Sequence, residues 1–316
     1  MSSKEKRIRH KGRIRQIPIY LGKLFRMFIY QDDWKVLMMA AIIAALVSFV
    51  TGKNLCRYME GTGMGALALT CVCIWNGFFN SIQVVCRERD IVKREHRNGM
   101  HISSYILAHM IYQAFLCLMQ TVITIYVYRM AGVAFPHEGF IFKYFDIDIG
   151  ITIFLITFSA DMMSLMISCI AKSTTAAMTI MPFTLIFELL FSGSMFGLSD
   201  SLKQLTNLSI AKWGIVCFNS QAGFNSLPTT TVWNQICKYQ NVEVGGIRPF
   251  GEFAQYIQEH DLVDAFCSKV GEYSQNADYV QSVGNILNCW LSLSLFALFF
   301  AAVALLFLER IDKDKR

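Results

Sequence analysis

Six apolar runs, at 34–51, 64–86, 102–128, 147–170, 175–196 and 283–308, decide what this chain of 316 residues can fold into. About 20 residues of helix cross a hydrocarbon layer of ~30 Å, and inside that layer every backbone N–H and C=O must be satisfied within the protein. Runs of this length meet the condition as helices. The fold class that follows is an all-α membrane protein with six transmembrane helices, and the 54% apolar content agrees with it.

The formal charge of +6 is not spread evenly. Lys and Arg gather before the first run (Lys4, Lys6, Arg7, Arg9, Lys11, Arg13, Arg15), between the second and third, at Lys172, and in the tail (Arg310, Lys313, Lys315, Arg316). Basic residues at span ends stay on the cytoplasmic side. With six spans all four groups fall on one side, which makes both termini cytoplasmic and the protein multi-pass in the cell (plasma) membrane. Charge confined to span ends does not argue for nucleic acid as a partner. No short apolar core with a small-residue cleavage site follows the basic start closely, so it does not read as a signal peptide.

The chain divides accordingly. Residues 1–33 are a basic cytoplasmic segment ending in an amphipathic helix, with Ile17, Tyr20, Leu21, Leu24 and Phe28 on one side and Lys23, Arg26 and Tyr30 on the other. Such a helix lies in the membrane interface. Residues 34–196 hold spans one to five. A polar, acid-leaning segment at 197–282 is a large extracellular loop, long enough to fold as a cap; 283–308 is span six and 309–316 a cytoplasmic tail. In the cap, Cys217, Cys237 and Cys267 allow one disulfide and leave one thiol over; Cys237 with Cys267 is the candidate pair. Asn207-Leu208-Ser209 fits a glycosylation sequon.

Between spans two and three runs a charged helix, 87–99. Residues three and four apart share a face. Arg89, Lys93 and Arg97 therefore form a basic stripe, Asp90 can pair with Arg94, and Glu88 and Glu95 bracket Ile91 and Val92. An apolar centre rimmed by charge suits docking to a soluble partner; the plain alternative is a solvated loop whose cations only fix orientation. Gly99 ends the helix as a C-terminal cap, and Ser103 or Ser104 can cap the next one.

The order Glu88-Arg89, Arg94-Glu95, Gly99, Ser104-Tyr105, Ala108 resembles the first intracellular loop of ABC transporter permease (transmembrane) subunits of the ABCG-like, type V exporter family. So do the six-span layout, the amphipathic lead-in with its Asp32-Asp33 step, Phe191-Ser192-Gly193 near the end of span five, and Ser209-Ile210-Ala211-Lys212-Trp213-Gly214, which is similar to the family's Ser-Ile-Pro-Arg-Tyr-Gly. Ser194 and Met195 stand where the family's plug has two leucines. The resemblance implies a connecting helix at 15–31 and a coupling helix at 87–99 that sits on an ATPase subunit through Glu88, Arg89, Ile91, Val92, Arg94 and Glu95. It also implies a dimer with a second copy or a related permease chain, and a central cavity lined by spans two and five. Carried over residue by residue, that cavity takes Asn76, Phe79, Asn80, Phe187, Glu188, Phe191 and Met195, a lining suited to an amphipathic or hydrophobic cargo surrounded by membrane lipid.

The sequence contains no G-x-x-x-x-G-K-[ST]. ATP and Mg are therefore expected on the partner ATPase, with no cofactor in this chain and no catalytic residue. Charges within spans call for a reason. Asp161 and Glu188 either line a wet path or are hydrogen-bonded between helices; the second suits Asp161 better, and Glu188 fits both. Cys71 and Cys73 lack a zinc-site spacing, and His101 and His109 lack a third ligand. Two further readings stand beside the permease: an intramembrane enzyme using Asp161, Glu188 or His109, and a membrane receptor or scaffold working through its extracellular cap.

Overall fold

The computed structural model describes residues 12–30, 33–52, 54–194, 204–243 and 245–310. The expectations resting on Met195, Asp32, the start of the basic segment and most of the tail lie outside them. Every regular element among the described residues is helical: α1 Arg13–Tyr30, α2 Lys35–Thr51, α3 Met59–Ser81, α4 Val84–Arg87, α5 Arg89–Arg97, α6 Ile102–Met130, α7 Phe145–Ile170, α8 Thr174–Leu190, α9 Ile210–Gln221, α10 Thr231–Lys238, α11 Pro249–Glu259, α12 Val263–Tyr273 and α13 Val283–Leu308.

Four stretches are long and apolar enough to cross a membrane, namely α3 with α4, α6, α7 and α13. The count is five if α1 and α2, bent by 66°, are one broken span, and α8 is a shorter apolar helix. The protein is thus a multi-pass membrane protein, with a described count of four to five spans against the six read from hydropathy.

Small residues set the packing. Gly77 on α3 faces α7 so closely that a Cβ there would lie 2.4 Å from the carbonyl oxygen of Thr157 and 2.9 Å from the Cβ of Ala160. Close backbone approach of this kind holds membrane helices together where hydrophobic burial cannot. On α13 the buried positions Ile286, Cys289, Leu293, Ala297, Ala301, Ala304 and Leu308 form one stripe at spacings of three and four. That stripe packs on α7, where the Ser159 hydroxyl donates to the carbonyl of Leu293 at 2.7 Å. The remaining faces of α13 and α8 are bare and apolar (Leu291, Leu298, Phe299; Phe183, Ile186). Faces of that extent suit lipid or a partner helix rather than water.

The segment read as a single cap is divided. Helix α9 is buried almost throughout and packs among α3, α7 and α13. Helices α10 to α12 sit apart around Phe266, which meets Trp233 and Phe253 edge-on. This outer unit is tied to α3 by the Glu60 carboxylate, whose Oε1 accepts from the backbone N–H of Thr230 at 3.0 Å and of Thr231 at 2.7 Å.

Candidate functional site

Helix α5 has two different faces. On the inner one, Glu88, the residue before the helix, accepts from Lys23 Nζ of α1 at 2.9 Å. Arg89 Nη1 donates to the carbonyls of Cys169 and Ala171 at the end of α7, both at 3.0 Å. Those are carbonyls that a helix end leaves without intrahelical partners, so a guanidinium completes them. Val92 is 1% exposed, in a cluster with Val85, Tyr105, Ile106 and Leu165. On the outer face, Ile91 is 40% exposed. Asp90, Ile91, Lys93, Arg94, Arg97 and Asn98 line a shallow open depression. Of the residues expected to meet a partner, Ile91 and Arg94 therefore face outward, whereas Glu88, Arg89 and Val92 are engaged with this chain's own helices. Glu95 is half-buried.

The corner below α5 is clamped by α1. The Gln16 amide donates to the carbonyl of Gly99 at 3.1 Å and accepts from the backbone N–H of His101 at 2.9 Å. Gly99 has φ +98°, the left-handed turn its sequence position anticipates. Ser103 and Ser104 do not cap α6, because that helix starts at Ile102 and places both inside its first turn. The Ser104 hydroxyl donates instead to the carbonyl of Arg13 at 2.8 Å. Sequence reading passed over Gln16, although it stands four residues before Tyr20 and eight before Leu24, on the buried face of α1.

Asp161 and Glu188 are both hydrogen-bonded. Asp161 accepts from the Ser81 hydroxyl, from Asn80 Nδ2 at 3.4 Å and from the Cys117 thiol at 3.4 Å. Asn80 in turn exchanges amide hydrogen bonds with Gln120 at 3.0 and 2.9 Å. This network locks α3, α6 and α7 together. Glu188 accepts from the Ser209 hydroxyl at 2.7 Å and from the N–H of Ala211 at 2.9 Å. It thereby caps the N-terminal end of α9, where a carboxylate is electrostatically favoured, and joins α8 to that helix.

The expected cavity residues separate. Asn76, Asn80 and Glu188 are interior, while Phe79 and Phe187 open outward. Phe187 packs on Phe191 with ring centroids 4.6 Å apart, and Phe79 meets Trp75 edge-on. Within one chain, then, Phe79 and Phe187 form exposed faces of α3 and α8, and Asn80 and Glu188 form contacts between helices. Cys237 and Cys267 are free thiols. Among the described residues no group of three His, Cys, Asp or Glu side chains is placed to hold a metal ion.

The family model described as ABC-2 type transporter matches residues 23–220, from the middle of α1 to the end of α9 and well over half of the chain. No curated protein matches it.

Proposed function

The chain belongs to the ABC-2 type transporter family, making it a membrane permease component of an ABC transporter of the ABCG-like, type V kind, and from that premise we propose the rest of its working cycle. It is the membrane half of an exporter: two permease chains, alike or related, carry two copies of a separate ATPase that binds ATP and Mg. An amphipathic or hydrophobic cargo moves outward by alternating access. Helices α2, α3, α6, α7, α8 and α13 are the six spans, both termini are cytoplasmic, and α10 to α12 form the outer cap. At 17 residues, α8 covers about 25 Å at 1.5 Å per residue, so Phe191 to Ser194 complete its passage.

The observation that carries this reading is the two-sidedness of α5. Its inner face is bonded to the end of α7 through Arg89 and to α1 through Glu88, so a push on the outer face is transmitted to a span and to the connecting helix as one rigid body. The outer face offers an apolar residue, Ile91, among three basic side chains and Asp90, a rim of net positive charge that suits an acidic groove with an apolar floor. The exposed aromatics of α3 and α8 (Trp75, Phe79, Phe187) then face the second permease chain and the cargo.

Pull-down of the tagged chain from native membranes tests the reading. A P-loop ATPase should co-purify with wild type and be lost from Ile91→Asp/Arg94→Glu, while Glu95→Ala, on a half-buried residue, loses less. Equal co-purification with both variants, or no ATPase with wild type, overturns the assignment of α5.

A further inference from the structure

Helix α1 has two sides, and the rest of this chain covers only one of them. Leu21, Leu24, Phe25 and Phe28 pack against Tyr112 and Leu116 of α6. Beside them, Gln16, Tyr20 and Lys23 form a polar row at helical spacing. Gln16 holds Gly99 and His101, the Tyr20 hydroxyl donates to the Glu95 carboxylate, and Lys23 pairs with Glu88. The row therefore grips α5 at its start, near its end and at the turn that follows. The apolar side that periodicity marks on α1 is thus taken up by the protein's own helices and is not the side left for a membrane surface.

The opposite side is open. Arg15, Ile19, Arg26, Ile29 and Tyr30 recur at the spacing of one helix face, and all are exposed, Ile29 by 65% and Tyr30 by 83%. Arg15 and Arg26 stand about 16 Å apart along the axis at 1.5 Å per residue. Neither guanidinium forms an ion pair among the described residues, and α1 contains no Asp or Glu. A Cβ added at Gly22, between the two arginines, would meet nothing within 4 Å. The face is bare from one arginine to the other.

Charge and placement together select what covers it. Basic side chains without a compensating acid call for a negatively charged partner. The apolar members gather toward Tyr30, where α1 turns by 66° into the apolar helix α2; an α2 that enters the bilayer there leaves α1 along its surface. A soluble acidic protein would match Arg15 and Arg26 but leave Ile29 and Tyr30 at the membrane entry. An anionic bilayer matches both, because arginine stems lie along apolar surface while their guanidinium groups pair with phosphate, and tyrosine sits at headgroup depth. We infer that the outward face of α1 binds anionic phospholipid headgroups, with phosphates on Arg15 and Arg26 and with Ile19, Ile29 and Tyr30 at the acyl boundary, and that Gln16, Tyr20 and Lys23 transmit this anchoring to α5. The charge of the surrounding lipid then sets how firmly α5 is held. The chain's membrane placement and its internal contacts suffice for this, and no ATPase partner enters.

The test compares the full chain in nanodiscs of dioleoylphosphatidylcholine with the same chain in an equimolar mixture with dioleoylphosphatidylglycerol, read by hydrogen-exchange mass spectrometry. The anionic lipid should slow exchange of α1 and of α5 by roughly tenfold, the scale expected of two basic residues at an anionic surface, and leave a peptide from the middle of α7 unchanged. Arg15→Gln/Arg26→Gln should exchange alike in the two discs. Adding Gly22→Lys to that variant should restore part of the difference, because its side chain enters open space on the same face; a merely misfolded variant would not recover. Inorganic phosphate added to the phosphatidylcholine discs should change nothing. If phosphate protects α1 as well as phosphatidylglycerol does, the face takes a soluble anion and the lipid assignment is overturned. Equal exchange of wild type in the two discs also overturns it, as does protection of α1 that appears only with a co-purified ATPase, which would give the face to a protein. Protection of α1 without α5 overturns the transmission. ATPase co-purification should persist in Arg15→Gln/Arg26→Gln, which separates failure here from failure of the transport reading.

Discussion

Removing the carboxylate of Glu60 should release the outer unit from α3 without disturbing the spans. Its Oε1 accepts from the Thr229 hydroxyl at 2.5 Å, from the N–H groups of Thr230 and Thr231 at 3.0 and 2.7 Å, and from the Thr231 hydroxyl. One oxygen has two lone pairs, so this crowd amounts to about two full hydrogen bonds at ~1.5–3 kcal/mol each for an ionised acceptor. Glu60 is half-buried and water competes for it, so the net contribution is roughly halved, to about 1.5–3 kcal/mol. At 1.4 kcal/mol per factor of ten, Glu60→Ala should speed exchange of the amides in α10 by roughly 10- to 100-fold. Glu60→Gln keeps one acceptor oxygen and should fall between. Hydrogen-exchange mass spectrometry of the protein in nanodiscs reads this directly, with a peptide from the middle of α7 as the unchanged control. Equal exchange in Glu60→Ala and wild type would refute the reasoning. The hydrogen bond from the backbone N–H of Met59 to the carbonyl of Pro228 at 3.0 Å would then hold the unit to α3 without the carboxylate.

Three further outcomes follow from single contacts. Arg89→Ala removes the donor shared by the Cys169 and Ala171 carbonyls; α5 should exchange about 10- to 100-fold faster for a loss of ~1.5–3 kcal/mol, with α7 still protected through most of its length. Gly77→Leu places atoms against the backbone of Thr157, which cannot swing away; overpacking of about 3 kcal/mol or more should sharply reduce the monodisperse fraction in size-exclusion chromatography. Burial raises the Cys267 thiol above the usual thiol range. A raised value means less thiolate at neutral pH, so maleimide labelling of Cys267 should lag behind Cys237 near pH 7 and catch up as pH rises. Both thiols should label without prior reduction; a requirement for reductant would restore the Cys237–Cys267 disulfide.

The long helices were legible because hydropathy reports them directly. The runs at 102–128, 147–170 and 283–308 match α6, α7 and α13 to within two residues at each end. The run at 64–86 was read as continuous, whereas α3 ends at Ser81 and α4 begins at Val84. Helix α9 could not be found by hydropathy. It has 12 residues and ends in Asn219, Ser220 and Gln221, too short and too polar to pass as a span. Only its likeness to the family's Ser-Ile-Pro-Arg-Tyr-Gly marked this stretch out from the cap, and the physical cause of its burial is tertiary. Glu188 caps its start, and at its far end Gln221 donates to the carbonyl of Asp148 at 3.1 Å and accepts from the Thr152 hydroxyl at 3.0 Å.

The charged helix shows most sharply where local pattern stops. Its Gly99 stop and its mixed charge were readable, but the helix expected over 87–99 runs from Arg89 to Arg97, and the division of its residues between inside and outside was not readable either. Periodicity ranks faces by hydrophobicity, and on α5 both faces carry charge. Arg89 turns inward because the last carbonyls of α7 lie there without helical partners, and Glu88 because Lys23 on a helix 65 residues away reaches it. A charge buried against a complementary backbone or side chain is stabilised where the same charge alone would be expelled. The residues of such a helix that most resemble a family motif are therefore not by that fact the ones that touch a partner. The motif residues Glu88 and Arg89 fix α5 to the rest of the chain, and Ile91 and Arg94 are the ones left facing outward.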